Sequence, residues 1–520
     1  MPDILKSYND VQRRNVDMRD GTFAEQMAMV LPPSVSDVVG RLKVSRHQNI
    51  YDADFEYGVQ PLRWEGLTAN GGSIVHLPGQ GGVRMRVPTT SGAVVIRQSR
   101  PYQRYQPGKT MFMATAIRLG PALTGNVQRV GFFDDSNGVF FEDSGTTATN
   151  TTGMAVVVRS DVGGPVVDTR VELPAWNGDR GVIRTIDWNR IQMLFVEYAW
   201  YGAGALRWGF FIDGVPIVLH QIGIGNLPNQ TLPWSRTGNL PVRYEQRNTA
   251  TIAQQNDMLH YGVSVLVEGG VDDQRGFTYA YGPSAAAPRR NVAAGANRFP
   301  VLSFRGRPMG AVEFSQADGA ITGTPTTTSM TVTGTPFTAG ALVGRMVWWP
   351  TLNQVARITA NTNNTLTYVD NVLGGAVAVA PTAGINYQIG LINRGQMLPR
   401  RLQLTSDQPV LVEIYMSAPP GAGGGAISLT GANFLPLSSL GSQFSFAERD
   451  VSATAFTGGE NVYSLFVPAN NPVDNAIDNL LALVNTIRGD RPDIMTVAVT
   501  NPGGSTAAVS AQIIGQEAMS

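Results

Sequence analysis

No cysteine occurs in the 520 residues. Neither a disulfide framework nor a thiolate-held metal therefore belongs to this fold, and a reducing or an oxidising compartment would serve it alike. Net charge is missing too: 39 Lys and Arg offset 39 Asp and Glu. That balance leaves no summed positive field to draw nucleic acid or an anionic membrane surface. No run reaches about 18 apolar residues, so no membrane insertion is expected. The opening "MPDILKSYNDVQRRNVDMRDGTF" has no apolar centre, which argues against a signal peptide. Histidine is scarce, and His47, His76, His220 and His260 are scattered without an i, i+4 pair, against a zinc site or a His-based triad.

Glycine and proline are plentiful. With 58 Gly and 32 Pro against only 15% charged residues, the chain is rich in turns and poor in solvated helix faces, as β-rich proteins are. From 46 to 300, β-branched and aromatic runs such as "AVVIRQ", "TMFMATAIRL", "GMAVVVRSDV" and "ALRWGFFIDG" alternate with Gly, Asn, Asp or Pro turns. This pattern predicts a jelly-roll or sandwich-like β-domain. Asn137-Gly138 and Asp213-Gly214 suit two-residue hairpin turns.

Residues 1–45 read as an assembly arm, charged at first and then helix-like at "FAEQMAMVL". Residues 311–390 turn to Thr, Asn, Ala and Gly with almost no charge, as an inserted small β-domain at a loop tip would. The flanks 301–310 and 391–520 form a C-terminal α+β domain. Its helix is predicted over "NNPVDNAIDNLLALVNTIRG", with Asn471 as N-cap, Pro472 at N1, a one-face apolar stripe and Gly489 as the stop. The fold class expected is thus mainly β, with an α+β C-terminal part.

Chemistry is harder to find. Asp134, Asp135, Glu142 and Asp143 could supply a glycosidase carboxylate pair or a calcium site, but nothing local separates an acid from a base. A calcium loop aligned on Gly138 would place Phe133 at the first ligand position. Hairpin-edge charges are the plainer account. "QPGKT" at 106–110 lacks the first Gly of a phosphate loop, since position 103 is Gln. "RGD" at 488–490 is the predicted helix end. The sequence thus predicts no enzyme, no catalytic residue, no cofactor and no metal. Trp200, Tyr201 and Trp208 lie in the aromatic stretch 188–211; exposed at one edge they would suit sugar stacking, although strand alternation places half of such residues inside.

Charge is segregated along the chain. Arg84, Arg86, Arg97, Arg100, Arg104, Lys109, Arg118 and Arg129 fall in a stretch from Gly66 to Phe133 without Asp or Glu. Glu448, Asp450, Glu460, Asp474, Asp478, Asp490 and Asp493 dominate the end. Complementary patches of this kind fix partner and register in subunit docking, so the basic set is a candidate assembly interface. Nucleic acid is the alternative for it, and plain solvated faces are the bland one.

The blocks "SRHQNIYDADFEYGVQPLRWE", "IRQSRPYQRYQPGKTMF", "VGFFDDSNGVFFE", "DWNRIQMLFVEYAWYGAGALRWGFFIDGVPIVLHQ", "FPVLSFRGRP" and "LTGANF…VSATAFTGGE" resemble, in that order, structural proteins of tailed bacteriophages. The resemblance covers about 45–310 and 390–465. It implies a non-enzymatic virion component, assembled in the host cytoplasm: a tail-associated appendage, short fibre or connector, acting as a homo-oligomer with other virion proteins. The alternatives are a capsid-surface decoration protein or a receptor-glycan-binding adhesin contacting a host surface glycan; a depolymerase is disfavoured. No long shaft repeat is present, which disfavours a long thin fibre. Within that frame 51–65 is a structural join: Phe55, Tyr57 and Trp64 should bury against the first sheet, with Asp52, Asp54 and Glu56 on the opposite face.

Overall fold

The computed structural model describes residues 5–8, 11–17, 23–29, 46–147, 150–178, 180–183, 186–199, 204–223, 231–270, 277–283, 288–417, 425–437, 445–477 and 482–518. The chain is mainly β, and among the described residues every strand pairing is antiparallel. Among the described residues the α-helix is a single turn, Arg180–Ile183, and no helix is long and apolar enough to cross a membrane.

The first unit is a jelly-roll-like sandwich. One sheet runs Val167–Glu172, Met154–Ser160, Gly138–Asp143, Asn126–Phe133, Val242–Asn248, Val94–Ser99 and Trp64–Ala69 in spatial order. The facing sheet runs Val215–Gly223, Ala205–Ile212, Gln192–Tyr198, Met111–Arg118, Asn256–Glu268, Gly82–Val87 and Ser73–Leu77, with His47–Asp54 also on Asn256–Glu268. Period-2 alternation sends Val130, Phe132, Val139, Phe141, Val156 and Tyr244 inward from the first sheet to meet Met113, Leu194, Val196, Trp208 and Val265 from the second. Non-sequential neighbours, such as Asn126–Phe133 beside Val242–Asn248, make register a property of the whole sandwich.

The two expected turns differ. Asp213 and Gly214 take φ of 49° and 78° between paired Ile212 and Val215, a two-residue loop as the sequence predicts. At the other hairpin Phe133 pairs with Gly138, so the loop has four residues, Asp134 to Asn137. Asp134 Oδ1 accepts from the amides of Ser136 and Asn137 at 2.7 and 2.8 Å. The aspartate side chain closes this loop, and a two-residue Asn-Gly turn is displaced.

Residues 309–392 carry a seven-stranded sheet, from Met309–Ser315 through Gln388–Ile392, Met346–Trp349, Gln354–Asn361, Thr365–Asp370 and Ser329–Val332 to Ile321–Thr322. Its own core holds Trp349, Tyr368, Leu366 and Ile389.

The C-terminal unit corrects the α+β expectation. It is a second all-β sandwich, of a five-stranded sheet built around Ala507–Ala518 and Gln396–Ser406 and a six-stranded sheet built around Phe299–Gly306, Ile494–Thr500 and Val410–Met416. In place of the predicted helix, Val473–Ala476 is an edge strand on Arg401–Leu404, and the Ile477 amide donates to the Arg400 carbonyl at 2.8 Å. An open sheet edge offered hydrogen bonds and burial that a segment rich in Asn and Asp, weak helix formers, could not match locally. Positions 478–481, including Asp478, lie outside the described residues. The unit also claims Phe277–Tyr281 and Arg290–Val292, which pair with Ala507–Ala518, so the first sandwich ends before residue 300. In the arm, the helix expected at 23–31 is replaced over Phe23–Met29 by a strand of a meander with Leu5–Tyr8 and Val11–Asp17.

Candidate docking site between the β-units

The join at 51–65 seals one end of the first core. Tyr51 and Ala53 bury from strand His47–Asp54 while Asp52 and Asp54 face out. Phe55 (0% exposed) and Trp64 (2%) follow into the core, with ring centroids 5.6 Å apart edge-to-face. Tyr244 and His260 stack at 4.2 Å and 10° beside them. The Arg97 guanidinium lies 5.0 Å over Phe55 and 5.6 Å over Trp64, and donates to the Val59 carbonyl at 2.9 Å. Burial lowers Arg97 to about 10; cation–π contact and that carbonyl compensate the buried charge. Tyr57 departs from expectation: it is 89% exposed, because the strand has ended and alternation no longer governs it.

The first sheet carries Trp64, Arg97 and Tyr244, and its outer face is the docking surface. Register sets Glu142 opposite Arg129 and Arg129 opposite Glu245, so ions of alternating sign run across the strands. Arg170 and Arg129 hold Glu142 at 2.9 and 2.7 Å. Arg129, Arg243 and Arg247 converge on Glu245 at 2.9, 2.7 and 2.6 Å. Burial works to raise the Glu245 carboxyl, but the guanidinia of Arg247, Arg243 and Arg129 together hold it well below the usual range. Arg243 reaches on to Asp135 at 2.8 Å.

The other units cover this ladder. From the insertion, Arg357 donates to the Asp135 carbonyl (3.0 Å) and Ser136 Oγ (3.2 Å), and Val372 packs with Val94, Ile96 and the C-terminal Ile487. Arg100 pairs with Asp493, both buried, and Arg488 of the C-terminal unit pairs with Asp370 of the insertion. Between the units lies a cavity of about 410 Å³, lined among others by Asp134, Asp135, Asp161, Arg104, Arg236 and Arg394. Its acids are engaged: Asp134 with Tyr102 Oη at 3.1 Å and Asp161 with Arg236 at 2.9 Å.

This geometry relocates the sequence candidates. Arg97 lies inside the sandwich and Arg100 is paired within the chain, so neither offers its charge to an outside partner; strand Val94–Ser99 is buried at every position because both its faces are covered. Arg86 binds Asp257 through two 2.6 Å bonds, and Lys109 donates to the Gly269 and Gly270 carbonyls. Arg84 is half-buried, and Arg104 lines the cavity. Of the candidate sugar contacts, Trp208 is fully buried, because alternation turns it into the core; Trp200 and Tyr201 lie outside the described residues. Asp134 and Asp135 sit at the hairpin loop, while Glu142 and Asp143 stand at the far end of strand Gly138–Asp143 on opposite faces. Burial raises Asp143 to about 6, and its oxygens accept from the Gly145 amide and Gln128. Among the described residues no group of three His, Asp or Glu could hold a metal. Sequence reasoning missed Glu245 and Arg243; the "VRYEQRN" alternation was their visible signal.

No protein-family model matches the chain, and no curated protein does. Among solved structures, a glycosyl hydrolase family 16 protein from Mycobacterium smegmatis is 14% identical, covering 42% of this chain and 100% of its own, at a TM-score of 0.29. A beta-1,3-glucanase from Mycobacterium marinum gives 13%, 42%, 98% and 0.29. An immunostimulatory antigen and pseudo beta-1,3-glucanase of Mycobacterium tuberculosis gives 12%, 43%, 99% and 0.29.

Proposed function

We propose that the chain is a non-enzymatic structural component of a tailed bacteriophage virion, a tail-associated appendage, short fibre or connector that works by protein–protein assembly. The observation that carries this reading is how the charges are spent. Of the four carboxylates that sequence offers for catalysis, Asp134 closes a hairpin loop and Asp135 and Glu142 join a sheet-wide ion ladder, while ion pairs and an arginine hydrogen bond clamp three β-units to one another. Such clamping suits a part that transmits force or fixes geometry. The resemblance of the motif blocks to virion proteins supplies the particle context.

The test is location. Phage particles carrying a tagged copy are banded by density and imaged, and the tag should appear at a fixed place in multiple copies. A chain absent from purified particles overturns the proposal. In parallel, light scattering on the protein with and without residues 1–45 should show an oligomer that the truncation reduces to monomers.

A receptor-glycan adhesin is the second reading. The cavity of about 410 Å³ favours it, since three Asp and three Arg balance in its wall and leave a polar setting without net charge that suits a neutral sugar. Retention on a glycan array, lost on Arg236→Ala, supports this reading; no retention on any glycan removes it.

A further inference from the structure

Four ionisable side chains meet where the C-terminal unit crosses the first sandwich. Glu65, on edge strand Trp64–Ala69, faces outward next to Gln98 of the neighbouring strand. Arg100 follows that strand. Asp490 and Asp493 come from residues 482–493, a hairpin-like strap between the two units, closed on itself by the Asp493 amide on the Val484 carbonyl at 2.8 Å and the Thr486 amide on the Arg491 carbonyl at 3.2 Å. All four are at least nine-tenths buried. The Ile487 amide ties the strap to Glu65 Oε2 at 3.0 Å, while within the strap the Val484 amide donates to Asp493 Oδ2 at 2.9 Å and Thr486 Oγ1 to Asp490 Oδ1 at 2.6 Å. Arg100 pairs with Asp493.

Charge does not balance there. Three carboxylates face one guanidinium in a water-excluded interface. The other cations nearby are committed elsewhere: Arg394 to the Thr486 and Ile487 carbonyls at 2.7 and 3.0 Å, Arg488 to Asp370, while Arg491 points to solvent. Two uncompensated negative charges in a buried interface are costly, and holding a proton on one carboxyl relieves this.

We propose that the strap 482–493 is a proton-controlled latch: a proton held by Glu65 or Asp493 clamps the C-terminal unit onto the first sandwich, and its loss loosens the clamp. Burial raises Glu65 to about 7, with Arg100 and the Ile487 amide offsetting only part of that rise; burial likewise raises Asp493. A carboxyl raised in the docked state stabilises docking fully below its free value and loses that contribution as pH rises toward and through about 7. The latch is therefore tight in mild acid and loose in mild alkali.

Hydrogen exchange of the Val484, Ile487 and Asp493 amides, corrected for intrinsic rate, tests this on the full chain. Between pH 5.5 and 8.5 the population of the open strap should rise roughly thirtyfold, the value linkage gives for an acid at about 7 docked and ~4.3 free. Glu65→Gln keeps the acceptor and cannot ionise, so most of that pH response should be lost, leaving only what Asp493 contributes. Equal protection of the wild type at both pH values, or an undiminished pH response in the variant, overturns the latch. Should the variant fail to fold, infrared spectra of an Asp143→Asn chain, which lacks the other carboxyl raised to about 6, decide: a buried protonated-carboxyl band at pH 6 that bleaches by pH 8.5 supports the proposal, and its absence refutes it.

Discussion

Trp64 and Tyr57 sit seven residues apart in one segment, and the structure assigns them opposite energetic weights. Trp64→Ala removes an indole that is 2% exposed from between Phe55, Tyr51, Tyr244 and His260, whose ring centroids lie 5.6 to 6.1 Å away. Those neighbours are pinned. Tyr244 Oη bonds Thr115 Oγ1 at 2.6 Å, and His76 Nε2 lies 2.7 Å from the Phe55 carbonyl. The site therefore collapses poorly, which favours the upper part of the about 3–5 kcal/mol range for such truncations. One term runs the other way: the indole N–H is buried without a partner among the described residues, and deleting it returns about 1 kcal/mol. The expected loss is about 3–4 kcal/mol. Tyr57→Ala, at a residue 89% exposed, should change stability by no more than about 0.5 kcal/mol. Because three β-cores need not unfold together, the readout is hydrogen exchange on strands Trp64–Ala69, Val94–Ser99 and Val242–Asn248. A loss below about 1 kcal/mol for Trp64→Ala, or equal losses for the two variants, would refute the account of 51–65 as a core-sealing join.

Gly138→Ala should open the hairpin at Asp134: with φ at 150° the new Cβ would stand 2.2 Å from Phe133 Cβ and 2.4 Å from the Phe132 carbonyl oxygen, and raised protease sensitivity at 133–138 is the readout. Glu245→Gln removes the charge on which three guanidinia converge, leaving Arg129 with Glu142 and Arg243 with Asp135, and should cost about 3 kcal/mol at pH 7 by urea unfolding. The wild-type carboxyl is held low when folded, so its contribution is present above pH ~4.5 and lost as pH falls below that; the variant should show a flatter acid limb. His260 is held well below its ordinary value, chiefly by burial and then by Arg97. It costs stability progressively as pH falls below ~6.5. His260→Phe should remove that acid sensitivity from exchange on strand His47–Asp54, and an unchanged profile would exclude the buried histidine as its source.

Local patterns carried the strands. β-branched and aromatic runs between Gly, Asn and Pro turns announced the first sandwich, and the uncharged Thr- and Asn-rich text begins where Met309–Ser315 enters a sheet with a core of its own. Asp213-Gly214 formed its two-residue turn because φ > 0 at both positions is a demand those residues meet by themselves. The predicted helix at 471–489 had caps and an apolar stripe, yet its apolar residues Ile477, Leu483, Val484 and Ile487 are buried without a helix: the sheet edge at Arg401–Leu404 supplied backbone partners from 70 residues away, which no window shows. The basic set was visible as composition and misleading as surface. Arg97 is turned into the sandwich over Phe55 and Trp64, and Arg100 is buried by its pairing with Asp493 of the C-terminal unit.

Composition and periodicity by themselves determined that this chain is β-rich, free of disulfides, and turned by Gly, Asn and Asp where positive φ is needed, because those properties depend on residues within a few positions of one another. Tertiary structure alone decided where the charges went. Glu245 meets Arg129, and Glu65 meets the Ile487 amide more than 400 residues away, because strand order and unit docking bring them together, and burial then makes an ordinary surface charge into a clamp.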